Sequence, residues 1–236
     1  MAIIVFDTET TGFNPQECGV VEYAHVELDP QTRQVVGSTS FLTHPGTQYL
    51  PIPAVARAVH HISDADIAGK PHISQALNFP WTDVEVFAAH NMAFDWSFVG
   101  QYLPEDIPRI CTHRCALHLF PDAPSRSNQA LRYWLDLEPQ WPEDRSGDTW
   151  LPHRALFDAY ITAALLARML QLRTLGELIS LTSAPVLLHT CSFGKHKDVP
   201  WSKVPKDYCA WMLRQGPDAW DQDVIYTIRY WLGLEG

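Results

Sequence analysis

Asp7 and Glu9 in VFDTETTGF, Asp95 in AAHNMAFD, and His153 with Asp158 in HRALFDAY are the residues of this 236-residue chain whose types and spacing could do chemistry. In chain order the segments read D-x-E, H-N-x-x-F-D and H-x-x-x-x-D. Four carboxylates and a histidine are equipment for metal-assisted hydrolysis of a phosphodiester. Magnesium takes oxygen ligands and keeps several of its waters, so three or four carboxylates plus a substrate phosphate suit a pair of ions. Two ions about 4 Å apart can hold the attacking and leaving oxygens of an in-line displacement. A histidine side chain, which ordinarily titrates near about 6.5, can take the proton of the attacking water. The weight lies in the combination. A lone D-x-E is more often a turn cap beside a solvated charge, and a lone aspartate in a first helical turn more often answers the helix dipole.

The elements implied by the surrounding sequence would aim these groups at one place. Ala2 to Phe6 is an apolar run rich in isoleucine and valine, the pattern of a buried central strand. Side chains alternate across a strand, so Asp7 and Glu9 face the same side, where two desolvated carboxylates are tolerable mainly with a cation or a proton between them. Val84 to Ala89 reads as a second short strand, and His90-Asn91 as a helix start with Asn91 in an N-cap identity. Asp95 then lies in the first helical turns, looking back over the strand end, with Phe94 and Phe98 packed beneath it. The third segment opens a helix expected over 154–172, where Ile161, Leu165, Met169 and Leu172 form an apolar stripe and Asp158 sits at its edge. At roughly 100° per residue, five positions put His153 far round from Asp158, so His153 must lie outside the regular helix. Pro152 favours that, because it holds the chain extended at the helix entrance. A histidine on a loop suits a general base that closes onto substrate.

With these three motifs the chain resembles the DEDDh exonuclease family, whose members remove nucleotides from 3′ ends. The strings HRALFDAYITAALL, Ala58-Val59-His60-His61-Ile62, Ser127-Asn128 with Ala130-Leu131, and SFGKHKD are similar to its bacterial exodeoxyribonuclease branch. The likeness therefore spans nearly the whole chain, including a tail that most such domains lack. The resemblance implies metal ligands at Asp7, Glu9, Asp95 and Asp158, two Mg2+ ions per site with Mn2+ able to substitute, and His153 as general base. Substrate contacts are expected from Thr10, Thr11, Gly12, Phe13, His60, Asn91 and Ser127. Phe13 would stack on or wedge apart the terminal base, and Thr10-Thr11-Gly12 would offer backbone donors to the last nucleotide. The implied reaction is 3′–5′ exodeoxyribonuclease cleavage releasing nucleoside 5′-monophosphates from single-stranded or duplex DNA ends, in DNA repair. Two other readings stay open. The same chemistry could trim RNA, since nothing in these motifs reads a 2′-hydroxyl. A non-catalytic nucleic-acid-binding or recruiting module is the third, against which stand the five intact polar residues.

The strand pattern near 2–7, 18–28 and 34–43 predicts an opening meander, followed by a loop-helix region from Pro51 to about Pro80. A short strand near 109–112, a helix near 113–119 and a helix over SNQALRYWLDL capped by Ser127 come next. Glu138 to Pro152, with prolines, acids, Gly147 and two tryptophans, reads as a loop flanking the catalytic histidine. The fold class is α/β with a mixed central sheet flanked by helices. The ribonuclease H-like label comes from the resemblance. Residues 1–183 are expected to form the exonuclease domain and 184–236 a small basic C-terminal α+β appendage. That tail is expected to open with a short apolar strand, turn at Phe193-Gly194-Lys195, and set Tyr208, Trp211 and Met212 on one helix face. It is either a packing appendage or a basic clamp for duplex, or else a module that binds a DNA-repair protein.

Composition sets bounds on these readings. No run approaches about 18 apolar residues and the N terminus leads straight into a strand, so no membrane span or leader is expected, and a bacterial cytoplasmic location is. Five cysteines, odd in number and scattered, predict reduced thiols. Cys111, His113, Cys115 and His118 match no usual zinc spacing and read as buried cysteines and surface histidines. A formal charge of −10 is unusual for a nucleic-acid binder. Local cations must offset it: Arg109, Arg114, Arg126 and Arg132 between the motifs, and Lys195, Lys197, Lys203, Lys206 and Arg214 in the tail. Weak, salt-sensitive binding follows.

Overall fold

The apolar run at the N terminus becomes β1 (Ala2–Thr10), in which Ile3, Val5 and Phe6 are fully buried. The strand outlasts its hydrophobic stretch, so Asp7 and Glu9 are strand residues rather than part of the turn beyond. β2 (Val20–Leu28) pairs antiparallel with β1, and β3 (Val35–Leu42) antiparallel with β2, which is the expected meander. β4 (Val84–Ala89) and β5 (Arg109–Cys111) run parallel on the other side, giving the order β3-β2-β1-β4-β5. β1 is thus the middle strand of a mixed five-stranded sheet, and its near-continuous hydrophobicity is that of a strand covered on both faces. The computed structural model describes residues 1–145, 150–216 and 218–234. Gly147 of the anticipated loop lies outside the described residues.

Helices flank this sheet: α1 (Ala54–His60), α2 (Ile73–Ala76), α3 (Met92–Val99), α4 (Thr112–Leu119), α5 (Asn128–Trp134), α6 (Ala155–Met169) and α7 (Leu175–Ser183). α6 packs on β1 and β2 and ends at Met169, short of the expected Leu172. Ile4 and Phe6 join Tyr23, Phe87, Phe98 and Val99 in one core. The Pro51–Pro80 region is seated by a smaller one, Val21 with Ile52, Ile62 and Ile67. Across the loop after α5, Trp141 stacks on Phe157 at 5.1 Å and meets Trp150 edge-on at 5.8 Å.

The chain divides into two compact units, Met1–Cys115 with Ala123–Thr182, and Ala116–Asp122 with Ser183–Gly236. In the second, α8 (Lys206–Leu213) and α9 (Gln222–Leu232) close over Cys191, Trp201, Val204, Cys209, Met212, Val224 and Ile228. Two expectations for the tail fail here. No strand opens it among the described residues, only an isolated bridge between Thr190 and Pro200. The Val186 and Leu188 amides donate instead to Asp223 Oδ1 and Thr227 Oγ1 on α9, both at 2.8 Å, so side chains satisfy the backbone that a neighbouring strand would have satisfied. Tyr208, Trp211 and Met212 do share a face of α8, with the Tyr208 and Trp211 rings 5.3 Å apart, but only Met212 of the three is buried, beside Cys209, and Trp211 remains 42% exposed. Nor is the tail basic overall: from residue 184 on, four lysines and two arginines meet five aspartates and one glutamate, so its cations matter only by position.

Cys111 and Cys115 are buried as anticipated, but His113 and His118 are half-buried rather than on the surface. Cys115 Sγ donates to the Leu178 carbonyl oxygen at 3.4 Å, and all five cysteines are free thiols. Among the described residues no helix is long and apolar enough to cross a membrane.

Candidate active site

Parallel pairing of β1 with β4 ends where Val5 faces Ala88, so the last residues of β1 lose their neighbour on that side. There the Thr8 amide would be an unpaired buried donor, and Asp95 from the first turn of α3 supplies the acceptor. Asp95 Oδ1 takes both the Thr8 N–H, at 3.0 Å, and the Thr8 hydroxyl, at 2.7 Å. On the antiparallel side Asp7 lies opposite Ala24 and Glu9 opposite Glu22.

Asp7, Glu9 and Asp158 present carboxylate oxygens all within 4.8 Å of one another. Among the described residues this is the one group of three or more candidate ligands. Asp95 stands just outside it with one oxygen turned to Thr8, yet its charge bears on Asp7. Burial raises the pKa of all four. It lifts Asp7 well above the usual carboxylate range, and the charges of Asp95, Glu9 and Asp158 push the same way. Glu9 is pushed to about 9 by burial, then by Asp158, Glu22 and Asp95, with Arg154 opposing. Asp95 rises to about 7 through burial, against the lowering effect of the Thr8 hydrogen bonds. Asp158 is raised by burial and partly relieved by the His153 N–H. Four acids that folding drives toward protonation at neutral pH are what a divalent cation would discharge, so the donor set fits a hard metal ion with oxygen ligands.

His153 is placed as the spacing required. It precedes α6, is exposed, and adopts φ 63°, a left-handed conformation uncommon outside glycine. Its N–H donates to Asp158 Oδ2 at 2.8 Å, while Gln129 Nε2 donates to Asp158 Oδ1 at 3.1 Å. Arg154 then points inward. Its Nε and Nη2 donate to Glu22 Oε2 and Oε1 at 2.9 and 2.8 Å, and the Ala155 N–H adds a third bond to Glu22 Oε2 at 3.0 Å.

Thr10, Thr11, Gly12, Phe13 and His60 line one pocket of about 430 Å³ with Thr8, Glu9, Val55, Val59 and Phe94. Phe13 is 90% exposed at its rim, with its ring 6.1 Å from Phe94. His60 is buried, its Nδ1 accepts the Ile62 N–H, and burial lowers its pKa to about 4, so it enters the pocket as a neutral ring. Two expectations are corrected. The Thr11 N–H donates to the Gly19 carbonyl at 2.9 Å, so it is committed to the fold and not to a ligand. Asn91 makes no side-chain cap. It sits in the left-handed region at φ 68° and lines a separate pocket with Trp96, Arg109 and His113. Ser127 caps α5 as expected, its hydroxyl accepting the Ala130 N–H, and it stands outside both pockets. Sequence reasoning missed Thr8, Glu22, Gln129 and Arg154. Of these only Glu22 left a signal, as the acid in the apolar first half of the run VVEYAHVEL, where a buried strand admits a charge only if it is paired.

Residues 4–166 match the family model described as exonuclease, RNase_T. Exodeoxyribonuclease 10 of Escherichia coli strain K12 is 32% identical over 235 residues, covering 97% of each chain. DNA polymerase III subunit epsilon of Aquifex aeolicus is 25% identical over 176 residues, 71% of this chain and 80% of its own. A solved structure of exonuclease X in complex with 5′ overhanging duplex DNA superposes with a TM-score of 0.63 at 33% identity, over 77% of this chain and 99% of that one. The mixed sheet and its flanking helices are accordingly the ribonuclease H-like exonuclease fold, and the chain belongs to the DEDDh-type 3′–5′ exonuclease family.

Proposed function

We propose that this exonuclease acts on DNA, releasing nucleoside 5′-monophosphates from 3′ ends. The observation that carries the reading is the meeting of Asp7, Glu9 and Asp158 within 4.8 Å, beside the pocket rimmed by the exposed Phe13. DNA as substrate is supported by the 32% identical exodeoxyribonuclease and by the relative solved with overhanging duplex DNA.

Asp7, Glu9, Asp95 and Asp158 would hold two Mg2+ ions, with Mn2+ able to replace them. Bound there, the cations would neutralise the buried acids and polarise the terminal phosphodiester toward an in-line attack by water. The chain's own groups do the rest. His153, exposed outside α6, takes the proton from the attacking water, and Asp158 accepts its N–H to fix the segment. Phe13 stacks on the terminal base, which the apolar wall of Val55, Val59 and Phe94 receives. Removal of 3′ nucleotides is a reaction DNA repair requires, and we assign the enzyme there, in the bacterial cytoplasm. For the 184–236 segment we propose a separate module whose lysines near the Gly194 turn engage duplex or a repair protein.

Labelled DNA and RNA oligonucleotides, each with a free or a blocked 3′ end, test this in the presence of Mg2+. The expected result is stepwise loss of 5′-monophosphates from free DNA ends, with blocked ends and closed circles resistant. Preferential trimming of RNA would transfer the assignment to an exoribonuclease, and rapid cutting of circles would end the exonuclease mechanism.

A further inference from the structure

His153 is held in an unfavourable backbone conformation by Asp158 of the cluster and, through the next two residues, by Glu22 outside it. A non-glycine residue at φ 63° persists only where its surroundings over-determine it. Three consecutive residues are tied down here. The His153 N–H goes to Asp158, the Arg154 side chain makes a two-pronged bond to Glu22, and the Ala155 N–H goes to the same carboxylate. Glu22 is 1% exposed and faces Glu9 across the β1–β2 pair. The carboxylate that receives Arg154 is therefore mounted one strand away from the metal-type cluster, on β2.

A buried charge pair of this kind is a poor source of stability, because desolvation consumes most of its attraction. Its directional content is large, since a guanidinium and a carboxylate meeting through two parallel bonds fix both distance and angle. We infer that Glu22 and Arg154 are positioning residues, which register the His153 segment against β1 and so set where the base stands relative to the cluster. The inference rests on His153 serving as the base. Glu22 accepts from Arg154 and from the first amide of α6, so a shift of that anchor moves the segment that carries His153.

The test uses the full chain and four variants: Glu22→Gln, Arg154→Ala, His153→Ala, and the double variant Glu22→Gln with His153→Ala. Because a displacement near 1 Å costs about 10²-fold in rate, Glu22→Gln is expected to lower kcat about 10²-fold with KM little changed. Guanidinium added to Arg154→Ala should restore part of kcat. In the His153→Ala background Glu22→Gln should cost much less than in the parent, the remainder being the loss of its charge beside Glu9. Full additivity there would overturn the inference, as would a guanidinium effect that is equal in His153→Ala. If His153→Ala proves fully active, the base assignment itself fails, an outcome distinct from additivity. Should Glu22→Gln not fold, Glu22→Gln with Arg154→Met replaces the pair by a neutral one. A folded but slow enzyme then supports the inference, a fast one overturns it, and unfolding of every variant overturns it in favour of a purely structural pair.

Discussion

Glu9 and Asp95 hold their protons to about 9 and about 7, because burial strips both of water and Glu9 is in addition crowded by Asp158, Glu22 and Asp95. Glu9 ordinarily titrates near 4.5, so between that value and about 9 the folded protein binds more protons than the unfolded chain. Stability without metal must therefore fall as pH rises through this window, having been complete below it. Thermal melts in EDTA across the window should show a declining Tm, and Mg2+ should restore it most at the alkaline end. A Tm that climbs instead would contradict the electrostatics of the cluster. Asp7→Asn removes one of the crowded charges. It should abolish turnover while leaving the metal-free Tm equal to or above that of the parent, and release of mononucleotides by that variant would remove the metal mechanism. His153→Ala should bind DNA nearly normally with kcat reduced about 10²- to 10⁴-fold. A binding defect with an unchanged single-turnover rate would reverse its role. At this scale the sequence was legible where a motif is short. Asp7 and Glu9 share a strand face, and the five-residue step from His153 to Asp158 forces the histidine off the helix. Thr8 and Arg154 were not legible, because their partners Asp95 and Glu22 lie 87 and 132 positions away.

Elements place those residues through where they stop as much as where they run. β1 continues past its pairing with β4, and the free edge is what receives Asp95. β1 and β4 were readable from apolar runs bounded by polar segments, since buried strands need no alternation. The strand expected at the head of the tail was not realised, because Asp223 and Thr227 lie 37 and 39 positions on and supply hydrogen bonds that no local pattern announces. The helix-start reading at Asn91 located α3 correctly but mistook the mechanism, for a left-handed backbone and not a cap bond begins that helix. The turn that leads from β1 into β2 carries its own constraint at Gly19, whose amide donates to Thr11 Oγ1. A Cβ at Gly19 would stand 2.3 Å from the Pro45 carbonyl oxygen, which is backbone and cannot swing aside. Gly19→Ala should therefore destabilise the fold by about 1–3 kcal/mol. An unchanged urea midpoint would show that this turn yields.

The whole molecule carries −10, all of it outside the tail, whose own charges balance. Polyanion binding must then depend on placement, and in the tail Lys195 and Lys197 flank His196, whose ring lies 4.6 Å from that of Tyr208 at the foot of α8. Tyr208 in turn meets the exposed Trp211 at 5.3 Å. Replacing Lys195, Lys197 and Lys206 by glutamine should weaken duplex binding and flatten its salt dependence, by nearly one unit of slope for each phosphate no longer neutralised. Cutting of short single strands should persist. Equal loss on both substrates would place those lysines in the reaction itself. Substitution is cleaner than truncation, because Ala116–Asp122 belongs to the same compact unit as the tail and would lose its partners. That shared membership is also why a boundary drawn in sequence at residue 183 describes the second unit incompletely.

The paired indoles of Trp141 and Trp150, nearly perpendicular at 5.8 Å, lie on the path of chain that ends in His153. Two such chromophores at that separation and angle exchange excitation, and the exchange leaves a two-signed band in the ultraviolet circular dichroism that vanishes when either ring turns away. The two rings thus offer an unlabelled optical report on the segment that leads to His153. If the loop closes on a 3′ end, the band should change amplitude when DNA is added to the Asp7→Asn protein, with no dye, tag or turnover needed to see it.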